Sequence, residues 1–312
     1  MGMNLHCMLY LQRKGHLSAQ KNKILDIGPQ NVYFALASEI RDFLAGQGVT
    51  DVTPKLADKI QKLEYFSTPR PDERATMFSE ITQLTNIEYR GFDVCPAPLT
   101  DILDLNYDTL PKKYVGHFDV VLNFGTTEHV FNQWNSFKLI HEAVKVGGVI
   151  YCVLPMSAYL QHGFYCYTPL FFTDFCKANG YELADMFMNR AGVDDIRGLG
   201  FDIRNEKKLL EPHSAVLAPG EEKVEQYNIH VIMKKLVDKA FDTTLEVSTA
   251  HSAVNKDIAS RYAASQSRPA RKGGLAGLAQ EFDAYTGGKY RGATDALRAA
   301  RRAVKDSKFL KR

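Results

Sequence analysis

The chain has 312 residues, 45% of them apolar and 24% charged, with 39 Lys/Arg against 36 Asp/Glu for a formal charge of +3. These proportions exclude a mainly disordered chain, a collagen-like repeat and a disulfide-stapled miniprotein. The length admits one large domain or two modest ones, and a charge so near neutral gives no reason to expect a nucleic-acid partner.

The first eleven residues have an apolar flavour broken by Asn4 and His6, with no basic lead-in and no small-residue cleavage site, so they do not read as a signal peptide. Gly2 is followed by His6 where a myristoylation signal needs Ser or Thr. Lys23-Ile24-Leu25-Asp26-Ile27-Gly28, closed by Pro29, reads as a buried strand. A helix is expected over about Val32 to Ala45, ending at Gly46. Residues 50–86 read as an insertion of about two helices with a turn at 67–71. The strand Ile87 to Val94 follows, then the strongest strand, Phe118 to Phe124. A helix is expected from about Thr127 to Val146. Gly147-Gly148 then leads into the strand Val149 to Leu154. Pro169 to Asn179 reads as a helix ending at Gly180, and Tyr181–Met188 and Tyr227–Leu236 as two late strands.

Strands that are continuously apolar and alternate with helices predict an α/β fold. The sheet should be doubly wound and mostly parallel, Rossmann-like, with helices on both faces. The two late strands lack a helical connection, so they are candidates for an antiparallel end to the sheet. From about residue 246 the composition turns to Ala, Ser, Gly, Arg and Lys. Fourteen Lys/Arg stand there against six Asp/Glu, leaving 25 against 30 in residues 1–245. The expected organisation is therefore a mildly acidic domain, 1–245, and a basic tail, 246–312. The tail should be partly helical or disordered, with an acidic partner or a second subunit as its candidate contact. No apolar stretch of about 18 residues exists, so no membrane span is expected. Cys7, Cys95, Cys152, Cys166 and Cys176 contain no C-x-x-C pair. They read as reduced thiols of a cytoplasmic protein, and no metal is expected.

Ligands of an open parallel sheet bind at the carboxyl ends of the strands, where the strand order reverses. Asp26 and Gly28 stand after the first strand, Gly28 allowing close approach of a ligand to the backbone. Asp93 ends the second strand, 67 positions later, and either accepts ribose hydroxyls or caps its turn. Asp104, beside Leu103 and Leu105, either grips an adenine or belongs to a strand edge. Asn123 and Phe124 close the strongest strand. His129 follows Glu128 in the next segment, and His162, Tyr165 and Tyr167 lie in the loop QHGFYCYTP. Either histidine is a candidate proton acceptor, against the alternative of simple packing.

The stretches KILDIGP, EYRGFDV, DILDL, FDVVLNFGTTEHV, VKVGGVIYCVLP and TPLFFTDFCKANGYEL occur in this order between about residues 22 and 190. In that order the chain resembles a class I S-adenosylmethionine-dependent methyltransferase, in the broad branch that modifies small molecules and sugars. The resemblance implies S-adenosylmethionine as cofactor. It assigns the cofactor's amino-acid end to Asp26, Gly28 and Gln30, its ribose to Asp93, its adenine to Asp104 and Leu105, and the reacting methyl to the neighbourhood of Asn123 and Phe124. Gly147 and Gly148 match the turn before strand five. Tyr165 and Tyr167 would line the pocket of a small-molecule or glycan acceptor, with His129 and His162 as catalytic candidates. Two departures stand out. Gln30 and Val32 occupy positions where the family has glycines, which admits a catalytically silent binding protein as the alternative. The [DN]-P-P-[FY] motif of base-amine methylation is replaced by Asn123-Phe124-Gly125-Thr126, which points to an oxygen acceptor. A nicotinamide oxidoreductase is disfavoured because no G-x-G-x-x-G turn is present.

Overall fold

A computed structural model of the chain describes residues 2–33, 35–65, 75–190, 201–202 and 226–242. The expected turn at 67–71 and the basic tail lie outside these residues. The elements in chain order begin with β1 (Gly2–Asn4), α1 (His6–Arg13), β2 (Lys23–Ile27), β3 (Asn31–Tyr33), α2 (Ala37–Gly46) and α3 (Pro54–Lys62). Next come β4 (Thr76–Met77), α4 (Phe78–Thr82), β5 (Glu88–Asp93), β6 (Thr100–Ile102) and β7 (Phe118–Phe124). The series ends with α5 (Gln133–Ala143), β8 (Val144–Ser157), α6 (Pro169–Asn179), β9 (Tyr181–Arg190), β10 (Phe201–Asp202) and β11 (Tyr227–Lys235).

Among the described residues, eight strands form the main sheet in the order β10-β9-β11-β8-β7-β2-β5-β6. From β6 to β8 all pairings are parallel. The chain starts at central β2, steps outward through β5 and β6, then returns to β7 on the other side of β2. That return places a topological switch point between β2 and β7. Strand β11 inserts antiparallel between β8 and β9. The expected doubly wound sheet with an antiparallel late strand is therefore present: β11 runs against both its neighbours, and the two-residue β10 runs against β9. No helix among the described residues is long and apolar enough to cross a membrane.

Alternation along the strands divides the core into two layers. Leu25, Ile27, Val121, Ile150 and Cys152 face one side, under Phe137 and Ile140 of α5 and Phe172 and Phe175 of α6. Ile24, Val120, Leu122, Phe124 and Tyr151 face the other, against α1, α2 and α4 through Met8, Leu11, Phe43, Leu44, Phe78 and Ile81. All seven residues of β7 are buried, as a strand covered on both faces requires. Helix α6 follows its sequence signals closely: Pro169 supplies a preset φ at its start, and Gly180 ends it in the left-handed region at φ 70°.

Three boundaries differ from the sequence reading, each for a local reason. Residues 31–33 are strand rather than helix. They pair in parallel with β1 and antiparallel with β4 in a separate three-stranded sheet, and α2 starts only at Ala37. The segment after β7 makes a tight 3-10 turn at Thr127–His129, and the helix begins at Gln133 because Asn132 caps it, its Oδ1 accepting from Asn135 N at 3.1 Å. Strand β8 starts ahead of the two glycines, which form a bulge inside it. Val144 pairs with Phe118 and Val149 with Val120, and the residues between them loop out. Gly147 takes φ 82° there, and a Cβ on Gly148 would fall 2.8 Å from the Asp119 carbonyl.

Candidate functional site

The turn after β2 is held tightly. Gly28 adopts φ 77° and donates its N–H to the Phe92 carbonyl at 2.9 Å, joining the ends of β2 and β5. Pro29 packs on Gly91, where a Cβ would come within 2.7 Å of the proline ring. Thr126 Oγ1 donates to the Ile27 carbonyl and ties the end of β7 to the end of β2 across the switch point. The insertion braces the same turn from behind, with Phe78 N–H on the Gln30 carbonyl at 2.9 Å.

Asp26 and Gln30 are both fully buried. Asp26 Oδ2 accepts from Gln30 N at 3.1 Å and from the Tyr89 hydroxyl at 2.8 Å, while Asp26 Oδ1 has no hydrogen-bond partner. Burial pushes the Asp26 carboxyl up to about 7, assisted by the charge of Asp93 and opposed by those two hydrogen bonds. The Gln30 side-chain amide folds back and donates to the Gly28 carbonyl, leaving Gln30 Oε1 without a partner. Two buried acceptors, Asp26 Oδ1 and Gln30 Oε1, thus lack donors in this turn. The Gln30 amide itself now serves as donor to Gly28, the glycine that the resemblance pairs with a ligand. The helix N-terminus expected here is displaced by the three residues of β3. Its leading N–H groups are taken by carboxylates of the chain, Leu36 N by Glu39 at 3.2 Å and Ala37 N by Glu64 at 3.1 Å.

The other strand ends form a polar rim. Asp93 is half-buried and its Oδ1 accepts from Cys95 N at 2.8 Å, so the turn-capping reading holds for one of its oxygens. Asp104 caps its own turn through Asn106 N at 2.8 Å, and Leu103 and Leu105 are buried in the core. This turn is tied to the start of α5 by Asn132 Nδ2 on the Asn106 carbonyl at 2.8 Å and by Asn135 Nδ2 on the Leu105 carbonyl at 2.9 Å. Asn123 is fully buried and directed at the 3-10 turn, its Nδ2 donating to Thr127 Oγ1 at 2.9 Å. Phe124 is buried edge-on against Tyr151. Leu105 and Phe124 are core residues here, and Asn123 is a strut beneath the turn rather than an exposed contact.

Beyond β7 the tertiary structure assembles a group that lies scattered in the sequence. The 3-10 turn presents Glu128 and His129, and the loop after β8 lays His162 beside them. Their Glu and His ligand-type atoms all lie within 4.8 Å of one another. His129 Nε2 is 3.8 Å and His162 Nε2 3.6 Å from Glu128 Oε1, and the two imidazole centroids are 4.9 Å apart. Burial pushes the Glu128 carboxyl up to about 7; burial also lowers His129, with His162 adding to the effect. The loop is clamped on this turn by backbone contacts. Phe164 N and Tyr165 N donate to the Glu128 carbonyl at 2.7 and 3.3 Å, and a Cβ on Gly163 would fall 2.9 Å from that same oxygen. Ala158 and Gln161 take φ of 63° and 62°, an uncommon conformation for residues with side chains. Tyr165 is half-buried and bonds the Phe131 carbonyl at 2.9 Å. Tyr167 is buried and bonded to Thr127 Oγ1 at 3.0 Å and Gln133 Oε1 at 2.6 Å, which makes it a support of the loop. Leu160, Phe131 and Phe164 stay exposed around the group. Sequence reasoning treated His129 and His162 as separate candidates and gave Glu128 no role. The adjacent Glu-His pair was the only signal for it, and nothing local tied that pair to a residue 33 positions on.

The fold is a doubly wound, mostly parallel Rossmann-like sheet whose strand order reverses between β2 and β7. No protein-family profile matches the sequence, and no curated protein sequence does. Solved structures similar to the chain include the StiE O-methyltransferase segment 961–1257, with 11% identity, 74% of each chain covered and a TM-score of 0.37. Another is phosphoethanolamine N-methyltransferase 2 of Haemonchus contortus bound to phosphomonomethylethanolamine and S-adenosylhomocysteine, with 11% identity and a TM-score of 0.37. The match covers 74% of this chain and 53% of that one, so the chain spans about half its length. A third is the 1,6-didemethyltoxoflavin-N1-methyltransferase of Burkholderia thailandensis, with 12% identity, 74% and 77% covered and a TM-score of 0.36.

Proposed function

We propose that the chain is a cytoplasmic S-adenosylmethionine-dependent methyltransferase acting on an oxygen, or a nitrogen, of a small molecule or glycan. The observation that carries this reading is the switch point between β2 and β7, which gathers Asp26, Gly28 and the β5 end with Asp93 on one side and the Glu128–His129 turn on the other. In this reading Asp93 accepts the ribose hydroxyls through its outward oxygen, and Asp104 borders the adenine. Asp26 Oδ1 and Gln30 Oε1 receive the ammonium once the Gln30 amide leaves the Gly28 carbonyl. The cofactor supplies an electrophilic methyl on a sulfonium. The chain's own work is to align the acceptor with it, exclude water, and take the acceptor's proton beside His129 and His162. Tyr165 and the exposed Phe131 and Phe164 wall the acceptor side, with Tyr167 supporting the loop from beneath.

A second reading, a catalytically silent binding protein on the same fold, is favoured by one observation: the Gln30 amide already fills the donor position on Gly28. Calorimetry with S-adenosylmethionine and S-adenosylhomocysteine separates the two. Binding weakened at least tenfold by Asp93→Ala supports the first reading, and labelled-methyl transfer to a cell extract removes the second. No heat at millimolar ligand, in wild type and in Gln30→Gly alike, overturns both forms of cofactor binding. The basic stretch 246–312 is read as an electrostatic contact for an acidic partner or a second copy of the chain. Association that weakens steeply with added salt would support this.

A further inference from the structure

Glu128 is a buried carboxylate that the chain does not satisfy. Its side chain is 0% exposed and neither oxygen has a hydrogen-bond partner. An ionised carboxylate is retained in such a place when it is paired or coordinates a metal. The two imidazoles beside it are too far for hydrogen bonds, at 3.6 and 3.8 Å. Those separations suit ligands of one ion better. Atoms about 2.0–2.1 Å from a tetrahedral centre stand roughly 3.3 Å from each other. We propose that Glu128 Oε1, His129 Nε2 and His162 Nε2 hold a divalent transition-metal cation of the zinc class.

Two imidazoles and one carboxylate are the donor set of zinc sites that keep a fourth position open. The placement agrees with such a site. Glu128 anchors it from the interior, while His129 and His162 are 40% and 43% exposed and leave one side facing out. The approach of His162 is built into the backbone: Gly163 has no side chain to hold the loop away from Glu128, and two N–H groups fasten the loop there. The open side is bordered by the exposed Leu160, Phe131 and Phe164. A cation there would bind an oxygen of an acceptor and lower its pKa, assigning oxygen-bearing acceptors to this rim. The cation site is read from side-chain geometry alone and does not depend on methyl transfer. It also revises the expectation from cysteine spacing that no metal would be bound.

The test is calorimetric titration of zinc chloride into the full chain after dialysis against a chelator, with no methyl donor present. One zinc per chain is expected. Glu128→Gln, His129→Ala and His162→Ala should each weaken binding at least tenfold, while His117→Ala, which alters a half-exposed histidine paired with Glu88, should not. Cobalt in place of zinc should give the intense visible absorption of a tetrahedral site, lost in His162→Ala. Thermal melts establish which variants are folded, and His162→Ala, on an exposed loop, keeps the test readable if His129→Ala does not fold. A folded wild type that binds no zinc overturns the proposal. So does binding that survives both Glu128→Gln and His162→Ala, because the metal would then sit on unrelated surface histidines. Cofactor binding is measured in a separate titration, so either result can fail without the other.

Discussion

At the scale of single residues, Asp26 makes stability depend on pH. Its carboxyl stands at about 7 in the fold against an ordinary 3.8, so between those values the folded state holds a proton that the unfolded chain has released. The associated stability is complete below about pH 4 and is lost as the pH rises through 7. Asp26→Asn keeps an acceptor for Gln30 N–H and the Tyr89 hydroxyl and removes the buried charge. It should therefore raise the melting temperature at pH 8 by several degrees, at roughly 2–4 °C per kcal/mol, with the gain vanishing near pH 4. If Asp26 holds the ammonium of the proposed cofactor, the same variant should lose affinity for it, and wild-type affinity should rise between pH 6 and 8. Stability gained with binding lost would mark Asp26 as a residue retained at a cost to the fold. Gln30→Gly tests the neighbouring position. Removing Gln30 Oε1, which in the proposed reading receives the ammonium, should weaken cofactor binding severalfold in calorimetry; tighter binding would mean that the Gln30 amide only obstructs the Gly28 carbonyl.

At the scale of elements, two short connections decide the geometry of the site. Asn132 caps α5 and fastens the Asp104 turn through the Asn106 carbonyl. Asn132→Ala should cost about 1 kcal/mol in melts and raise amide exchange over residues 104–108. The loop from Ala158 to Thr168 depends on Gly163 lying flat against the Glu128 carbonyl. Gly163→Ala should push the loop outward and separate His162 from Glu128. The expected signature is a loss of zinc affinity comparable to that of His162→Ala, with little change in melting temperature. Helix α6 needs Gly180 in the left-handed region, where an added Cβ would also collide with Val237. Gly180→Ala should destabilise by about 1–2 kcal/mol without touching the site.

At the scale of the whole molecule, two apolar layers sandwich one sheet, and their loss is not local. Phe175 is 2% exposed among the rings of Phe137, Phe171, Tyr181 and Phe241. Phe175→Ala should cost about 3–5 kcal/mol. Two buried neutral histidines lie on β11 and on α5. Burial holds His230, bonded to Tyr151 and Asn189, down to about 3 and His141, bonded to Tyr181 and the Lys239 carbonyl, down to about 4. Below pH 6.5 the unfolded chain takes up protons that the fold refuses, so the histidines' contribution to stability falls as the pH drops from 6.5 towards 4, against the gain from Asp26 and Glu128 over the same range. In a melting series across pH, Asp26→Asn, which lacks the opposing carboxyl, should therefore show a steeper acid-side decline than the wild type.

Much of this architecture was legible from local order. The mostly apolar run Phe118–Phe124, interrupted only by Asp119 and Asn123, read as a central strand, and Pro169 with Gly180 bounded α6 to the residue, because φ restriction acts locally. The strand-end acids Asp26, Asp93 and Asp104 were legible for the same reason. The late strands were recognised, but their antiparallel pairing was only a candidate until β11 was placed between β8 and β9. Residues 31–33 became strand because the N-terminal residues of β1 offered a partner there, which no window around Val32 contains. The burial of Asn123, Phe124 and Leu105 depended in the same way on neighbours supplied by other elements. The sequence by itself determined the order of strands and helices and the acids at the strand ends, since these follow from spacing along one segment. Only the tertiary structure decided that Gln30 closes on Gly28 and that His162 meets Glu128 and His129, because burial and contact between distant segments arise only when the sheet has brought them together.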